Sequence, residues 1–349
     1  MPALCFFQSE VVIRIEFCGT AGESGMKNAQ RIALILMVVA GFSLRLAGSA
    51  WADKSTAANI LEFGSGVRPT AMGEAFCGVA DDINAICWNP AGIAWLNKKE
   101  ISLGHDIYYE DIKCESISGI YPMEDILACV GLNVTMLRIG EIVGMDNNGG
   151  KIPNPDAGDS LVTLSFAQIM DEDMRLGVGI GVKWINQRIA EERASGMACD
   201  AGILYKHPYL TVGAVVQNIG EKLGFVREKY ELPLNFKVGI SKMVWKAENS
   251  SDQSLLCAID INKPWKDKMY VNTGIEYSVT ERWVFRLGLN SNPDIEMGIS
   301  SGIGVKINDR MRFDCSYGGY GELGDVSRVS MGIGLDGDGE LVGLGLEKK

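Results

Sequence analysis

The sequence predicts an all-β fold: a transmembrane antiparallel β-barrel of about 14 strands with an N-terminal helical plug segment. Three observations predict it. Apolar residues alternate with small or charged ones along most of the chain, so Val178 and Trp184 share one strand face while Gly179 and Lys183 share the other. Glycine is abundant, at 42 of 349 residues. Few segments resemble helices, so the apolar strand faces need either a second sheet or lipid to cover them.

Residues 1–52 are expected to be an upstream extension followed by a signal peptide over 26–52. A basic start is followed by the apolar run Ile32–Leu44 and then by small residues that end at Ala52. This run is shorter than the roughly 20 residues of a spanning helix, and the order of basic, apolar and small residues is typical of an export signal. The mature chain is therefore predicted to begin at Asp53.

Charge, cysteine spacing and the histidine positions argue against nucleic-acid binding, metal binding and enzymatic activity. The formal net charge is −11, which makes nucleic acid an unsuitable partner because binding it requires a basic surface. No cysteine has the spacing of a metal site, so no metal or other cofactor is predicted, and most cysteines are interpreted as small core residues. A Cys77–Cys87 bridge is the alternative for that pair. His105 and His207 belong to no nucleophile motif, so no enzymatic activity is expected.

Residues 53–98 are predicted to form a helical plug or hatch. Thr70–Ala80 and Ile83–Trp88 contain good helix formers without strand alternation, and Pro90 disfavours helix at Asn89, which ends the region. The chain here acts either as a hinge that admits a ligand or as a turn that seats the helices inside the barrel. The motif residues are Asp81, Asp82, Asn89, Pro90, Ala91 and Gly92.

Residues 99–335 are predicted to form the barrel. Three connections are long, 140–159, 219–232 and 319–326, and most of the others are tight turns. Short turns at one end and longer loops at the other are typical of outer-membrane barrels, although these long loops do not fall at every second connection. The strand candidates are residues 100–109, 114–121, 126–139, 160–168, 174–188, 196–206, 210–218, 233–244, 254–262, 269–279, 283–290, 296–307, 311–320 and 328–335.

Residues 336–349 are predicted to form a C-terminal hairpin or tail. Alternation continues through 340–346, so two assignments of the closing strand stay open. Either the candidate at 328–335 closes the barrel, or a tail strand does. The second assignment requires two candidates to merge or an early strand to be added near 60–64, because the count must be even.

The polar strand face is predicted to line the lumen. A soluble sandwich would bury its apolar faces instead. The number of strands, the charged and glycine-rich face and the need to protect sheet edges favour a closed barrel. The lumenal charges form either a salt-bridge network that braces a plugged barrel or a polar conduit. The candidates are Arg175, Lys183, Asp200, Lys237, Glu276, Arg286, Arg312, Asp314 and Arg328.

The register makes a prediction at two neighbouring positions. Outward Val178→Arg is expected to cost about 2–4 kcal/mol of insertion free energy if it lies near the bilayer midplane. Inward Gly179→Ser is expected to matter much less.

The region before the barrel resembles a known family. Gly66–Phe76, Ala80–Ala85 and Trp88–Gly92 are similar to the start of PorV/PorQ family outer-membrane proteins, and the Asn-Pro-Ala-Gly element is also similar to the hatch of FadL-type fatty-acid transporters. The resemblance covers essentially the whole mature chain and implies a 14-stranded barrel with its N-terminal segment in the lumen. Such barrels commonly end on an aromatic residue, whereas this chain ends on Lys349. Later matching segments are Asp200–Tyr205, Gln217–Gly220, Leu232–Leu234 and Tyr320–Ser330.

The resemblance implies an outer-membrane protein of the PorV/PorQ type that passes hydrophobic small molecules or handles secreted proteins at a type IX secretion apparatus. The alternatives are a FadL-like transporter of hydrophobic compounds without any secretion role and a purely structural porin-like barrel. The expected partners are outer-membrane lipid and either a hydrophobic ligand or secreted-protein cargo. The expected location is the outer membrane of a Gram-negative-type envelope.

Overall fold

The structure is a computed structural model. It describes residues 58–109, 111–140, 157–171, 173–225, 228–247, 253–293, 298–319 and 324–335. The predicted signal region and the predicted C-terminal tail lie outside the described residues.

Within the described residues, fourteen antiparallel strands close into one barrel, which confirms the predicted fold class. Neighbours in the barrel are neighbours in sequence, except that β10 follows β7 because β8 and β9 form a separate hairpin. The barrel strands are β1 (Glu100–Ile107), β2 (Lys113–Met123), β3 (Ala128–Arg138), β4 (Ala157–Ile169), β5 (Leu176–Ile189), β6 (Glu192–His207), β7 (Leu210–Gly220), β10 (Asn235–Lys246), β11 (Ser254–Pro264), β12 (Tyr270–Ser278), β13 (Trp283–Asn290), β14 (Gly298–Lys306), β15 (Met311–Gly319) and β16 (Asp325–Gly334), and the hairpin strands are β8 (Leu223–Phe225) and β9 (Glu228–Tyr230).

The closing strand is β16, which pairs with β1 from Glu100↔Gly334 to Ile107↔Ser327. The first of the two open assignments is therefore right, and closure needs no strand from the tail. The early strand considered near 60–64 is not formed, because Asn59–Leu61 is a single 3-10 turn.

All three long connections lie at the same end of the barrel. They join β3 to β4, β7 to β10 and β15 to β16. We call this end the long-loop end and the opposite one the short-turn end. The β8–β9 hairpin, which the sequence does not reveal, lies inside the connection predicted as a loop over 219–232.

The outward face of the barrel is apolar, as the alternation predicts. Leu164, Ile180 and Leu287 are more than half exposed, whereas the inward neighbours Ser165 and Arg286 are buried. An exposed apolar belt of this kind suits contact with acyl chains, and closure leaves no sheet edge in the hydrocarbon region. No helix among the described residues has the length and apolar character needed to cross a membrane.

The segment before β1 runs through the lumen as a plug. It contains α1 (Val67–Ala71), α2 (Ala85–Trp88) and the 3-10 segment Pro90–Trp95. The 3-10 segment contacts β3–β6, and α1 contacts β13–β16 on the other side of the barrel. The plug therefore touches both walls, with its first residues at the long-loop end and Lys99 at the short-turn end.

Inward glycines let the plug backbone approach the wall. A Cβ at Gly179 would lie 2.3 Å from the amide nitrogen of Ala91, and one at Gly288 would lie 1.8 Å from that of Gly73. The expectation that Gly179→Ser matters much less than Val178→Arg is therefore wrong, because an added side chain at this position would collide with the backbone of the plug. Other inward glycines that meet plug atoms include Gly131, Gly177, Gly202, Gly213, Gly239, Gly274 and Gly302.

Candidate functional site

A cavity of about 190 Å³ lies between the plug and the long-loop end. Trp88 and Cys87 of α2 form part of its lining from the plug side, and Ile60–Ser65 adds a stretch of chain from the beginning of the described residues. Barrel residues such as Tyr108 and Leu161 complete the wall. The cavity therefore combines residues that are far apart in sequence.

The apolar lining of this cavity continues into a buried cluster at the long-loop end. Ile60, Leu161 and Leu232 belong to both the lining and the cluster, and Phe63 packs against the cluster. The Phe63 ring contacts the Tyr108 ring edge-on, with centroids 4.9 Å apart. One side of the cavity is thus apolar, which suits the apolar part of a ligand, while polar and acidic residues such as Glu62, Glu74 and Asp106 line the rest.

Lys237 places a positive charge inside the cavity. Its side chain is buried on β10, and Nζ lies over the Trp88 ring, 4.6 Å from the centroid. Lys183, the other lysine within the barrel wall that lines the cavity, is engaged differently. Its Nζ lies 2.8 Å from Asp200 Oδ2 and donates to Asn218 Oδ1 at 2.7 Å. No ion pair to a described carboxylate involves Lys237, so its charge is balanced by the Trp88 ring and by more distant acids.

Strand pairing is irregular beside the cavity. The β6–β7 register shifts between Cys199 and Ala201. Asn218 has a positive φ of 63°, and its backbone N–H donates to the Asp200 carboxylate at 2.8 Å. Its side-chain amide donates to Pro233 O at 2.9 Å. The Asp200 and Lys183 pair therefore stabilises a bulge in the wall.

An exposed ion-pair cluster lies at the cavity mouth. Glu231 binds Lys222 at 3.1 Å within the β7–β10 connection and Lys266 of the β11–β12 connection at 2.9 Å. Hydrogen bonds from Lys266 and Lys222 lower the pKa of Glu231, so this carboxylate is charged at neutral pH. The cluster links two loops over the mouth.

The plug is bound to the wall by a charge network at the short-turn end. Arg68 of α1 donates two hydrogen bonds to Glu276 of β12, 2.7 and 2.9 Å long. The same guanidinium binds Asp81 at 2.5 Å and Asp82 at 2.9 Å. Burial alone would lower the pKa of Arg68, but the charges of Asp81, Glu276 and Asp82 raise it well above its usual value.

The network continues along the wall. Glu276 also accepts from Arg286 at 2.7 Å, Arg286 binds Asp314 at 2.6 Å, and Arg312 binds Asp314 at 2.9 Å. Four of the predicted lumenal residues thus lie together in one ion-pair chain. Arg68 is the residue that the sequence reasoning missed, although it belongs to a segment that carries the family resemblance.

The other predicted lumenal residues are placed separately. Arg328 is buried on β16, with Nε 3.7 Å from Asp106 and its guanidinium over the Tyr108 ring. Arg175 does not lie on a strand as predicted. It precedes β5 in the turn after Asp171, where its backbone N–H donates to the Asp171 carboxylate at 2.8 Å. This hydrogen bond keeps Arg175 in the turn, so β5 begins one residue later, at Leu176.

Residues of the predicted plug motif bind the plug to the barrel wall in this structure. Asn89 caps the 3-10 segment by accepting from the Ala91 N–H at 3.2 Å, and its side-chain amide donates to Cys77 O and to Ile203 O of β6. Pro90 is the first residue of the 3-10 segment, and Gly92 lies against the Ala80 carbonyl. Asn89 thereby joins two parts of the plug to the wall.

The cysteines and histidines are not gathered in one place, although Cys87 and Cys114 both line the cavity. Cys77 and Cys87 are both free thiols, so the alternative bridge between them is not formed. His105 and His207 lie on β1 and at the end of β6, away from the cavity lining. Among the described residues, no group of three or more His, Cys, Asp or Glu side chains is arranged to hold a metal ion.

Solved structures of similar fold exist. The toluene transporter TbuX of Ralstonia pickettii superposes with a TM-score of 0.55 and 15% identity over 78% of this chain and 97% of that chain. The toluene transporter TodX of Pseudomonas putida gives 0.53 and 12% over 78% and 97%. A FadL homologue of Pseudomonas aeruginosa gives 0.51 and 10% over 82% and 99%. Neither a protein-family model nor a curated protein matches the chain. The likeness shows that the fold is that of FadL-like outer-membrane barrels, and the PorV/PorQ resemblance stays a prediction.

Proposed function

We propose that the protein resides in the outer membrane and passes an amphipathic small molecule with an acidic group. The cavity at the long-loop end carries this proposal, because its mixed lining includes an apolar side and the buried cation of Lys237, which has no ion pair to a described carboxylate. In barrels of this class the longer loops are extracellular, which directs the cavity mouth outward. The similar folds named as toluene transporters support passage of an apolar compound.

Size favours passage of a small molecule over handling of secreted proteins. A cavity of about 190 Å³ suits a small organic molecule and not a folded domain. Below the cavity the plug touches the wall at the inward glycines. A molecule bound in the cavity therefore leaves either when the plug shifts or through the irregular β6–β7 wall beside it.

Uptake of labelled dodecanoate by a Gram-negative host lacking its own fatty-acid channel tests the function. Cells that produce the protein should take up the label faster than cells with an empty vector. Leu161→Trp, which fills the cavity from β4, should abolish the increase. Leu164→Trp is the matched control because Leu164 lies on the same strand and faces outward. Equal uptake with both variants would contradict a role for the cavity.

Lys237→Met tests the acidic group. The variant should lose uptake of dodecanoate and keep uptake of dodecanol, because the lost charge–charge attraction affects only the anion. Lys306→Gln at the short-turn end is the control, since its charge is exposed, is paired with Asp309 and lies outside the cavity lining. Equal losses for the acid and the alcohol would show that Lys237 supports the wall and does not select the ligand.

A further inference from the structure

The outer face of β2–β6 carries a row of basic residues at the long-loop end. The strand register aligns Lys113 with Arg138, Arg138 with Gly158, Gly158 with Arg188, and Arg188 with Arg193. All four basic side chains are exposed and follow the outward periodicity of their strands. Five adjacent strands therefore present four positive charges in one line.

The row lies where the apolar belt ends. On each strand, the next outward residue toward the middle of the barrel lies two positions from the row. These residues pair across the strands and include Ser160, Asn186 and Ser195. Two residues further, they include Val162 and Trp184, with Trp184 59% exposed. This order, apolar, then polar, then basic, places the charges at the level of lipid head groups.

The row does not continue past β2. Continued in the other direction, the same row passes from Lys113 to Ile107, Ser327 and Tyr317, none of which is basic. Glu115, the acidic side chain two positions from Lys113, faces His105 at 3.9 Å. Lys263 of β11 is also basic, exposed and outward at this end, and it donates to the Asp267 carbonyl. The row on β2–β6 differs from it by placing four charges on five adjacent strands.

We propose that this row binds the phosphate groups of an anionic lipid in the leaflet at the long-loop end. Gly158 divides the row into two pairs, Lys113 with Arg138 and Arg188 with Arg193. Strands lie about 4.8 Å apart, so the centres of the two pairs are about 14 Å apart, and each pair can hold one phosphate. Arginine suits this ligand because its planar guanidinium binds phosphate oxygens bidentately. The inference needs the barrel to lie in a bilayer, as the proposed function assumes, but it does not need passage of any molecule.

Trp184 is a built-in reporter for the lipid next to the row. The full mature chain is inserted into phosphatidylcholine vesicles that contain a minor fraction of either brominated phosphatidic acid or brominated phosphatidylcholine. Bromine quenches nearby tryptophan, and subtraction of the Trp184→Phe variant isolates the Trp184 signal. Phosphatidic acid should quench Trp184 more strongly than phosphatidylcholine at the same mole fraction, and high salt should reduce the difference.

A variant with Lys113→Gln, Arg138→Gln and Arg193→Gln should lose this preference. Each basic side chain near an anionic surface contributes about fivefold to lipid association, so loss of three together should lower the relative association constant by about 100-fold. Arg188 is kept because its Nε also donates to Ala190 O.

The matched control removes three exposed basic residues from the short-turn end, by Lys242→Gln, Lys246→Gln and Arg282→Gln. It should retain the Trp184 preference. Heat-modifiable gel mobility establishes that both triple variants are folded. Equal quenching by the two lipids, or equal preference in the two triple variants, would overturn the lipid site, whatever the uptake assays show.

Discussion

Arg68 of the plug and Glu276 of the barrel wall form a two-hydrogen-bond ion pair, with Nε–Oε2 and Nη2–Oε1 distances of 2.7 and 2.9 Å. The two residues are 208 positions apart in sequence. Because the side chains are mostly buried, solvent screens the attraction weakly. The pair thus ties the plug to the barrel at the short-turn end, away from the cavity.

Arg68→Gln should release this end of the plug. The substitution leaves Glu276 and Asp82 with fewer positive partners in a buried network, and breaking a buried pair typically costs about 3–5 kcal/mol. We expect a lower urea midpoint and faster proteolysis within 67–98. Lys306→Gln is the control because its pair with Asp309 is exposed, so its effect should stay below about 1 kcal/mol. Unchanged proteolysis in Arg68→Gln would show that the plug is held without this pair.

Gly179→Ala should destabilise the seated plug. Its Cβ would lie 2.3 Å from Ala91 N and 2.4 Å from Pro90 C, which are backbone atoms that cannot rotate away. We expect a loss of about 1–3 kcal/mol, as for overpacked cores. Gly318→Ala is the inward control, since its Cβ would make an ordinary contact at 3.4 Å with Ser300. Urea unfolding is monitored by tryptophan fluorescence. Equal midpoints for Gly179→Ala and Gly318→Ala would show that the close contact at Gly179 does not contribute to the stability of the seated plug.

Insertion of outward arginines should depend on their depth. The apolar outward residues of β5 run from Leu176 to Trp184, so Ile180 lies nearer the middle of the belt than Val178. Ile180→Arg should cost about 2–4 kcal/mol and Val178→Arg less, because the cost falls toward the interface. Folding yield into lipid vesicles at increasing urea measures both. A larger loss of folding yield for Val178→Arg than for Ile180→Arg would show that the middle of the apolar belt lies closer to the short-turn end.

The strands and their faces could be predicted from the sequence because a two-residue period is a local property. Alternation shows that Gly179 faces inward, but it does not show that Ala91 lies against it. For Arg68 the reason is similar: its importance depends on Glu276, which the fold brings to it from a distant strand. Arg175 was misplaced by one strand position because a hydrogen bond to Asp171 extends the turn.

The cavity also could not be predicted, because it depends on contacts between residues that are distant in sequence. Its lining joins the plug, the barrel wall and the loops, and no single segment carries a recognisable motif. Lys237 was predicted to face the lumen from its strand register. Its position over Trp88, on which its proposed role with an acidic ligand depends, follows only from where α2 lies.

Acid should weaken the plug only at low pH. Burial raises the pKa of Asp82, but the charge of Arg68 and hydrogen bonds from Arg68 and Asn84 lower it below its usual value. A carboxyl with a lowered folded-state pKa stabilises the fold above its unfolded pKa, and that stability is lost as pH falls through the folded value. The urea midpoint should therefore decline in strong acid, and the decline should be smaller in Asp82→Asn. Identical pH profiles would exclude Asp82 as the titrating group.

Cys87 should report whether the cavity is open and occupied. The thiol lines the cavity from α2, and burial raises its pKa to about 11. Thiolate is the reactive form, so a small methanethiosulfonate reagent should modify Cys87 slowly at neutral pH, with a rate that rises about tenfold per pH unit until the pH approaches 11. In a variant whose other six mature cysteines are alanine, mass spectrometry measures this rate. Dodecanoate should slow it, and Leu161→Trp should slow it without ligand, whereas Leu164→Trp should not. Modification that is unaffected by both dodecanoate and Leu161→Trp would show that the reagent reaches Cys87 by another route.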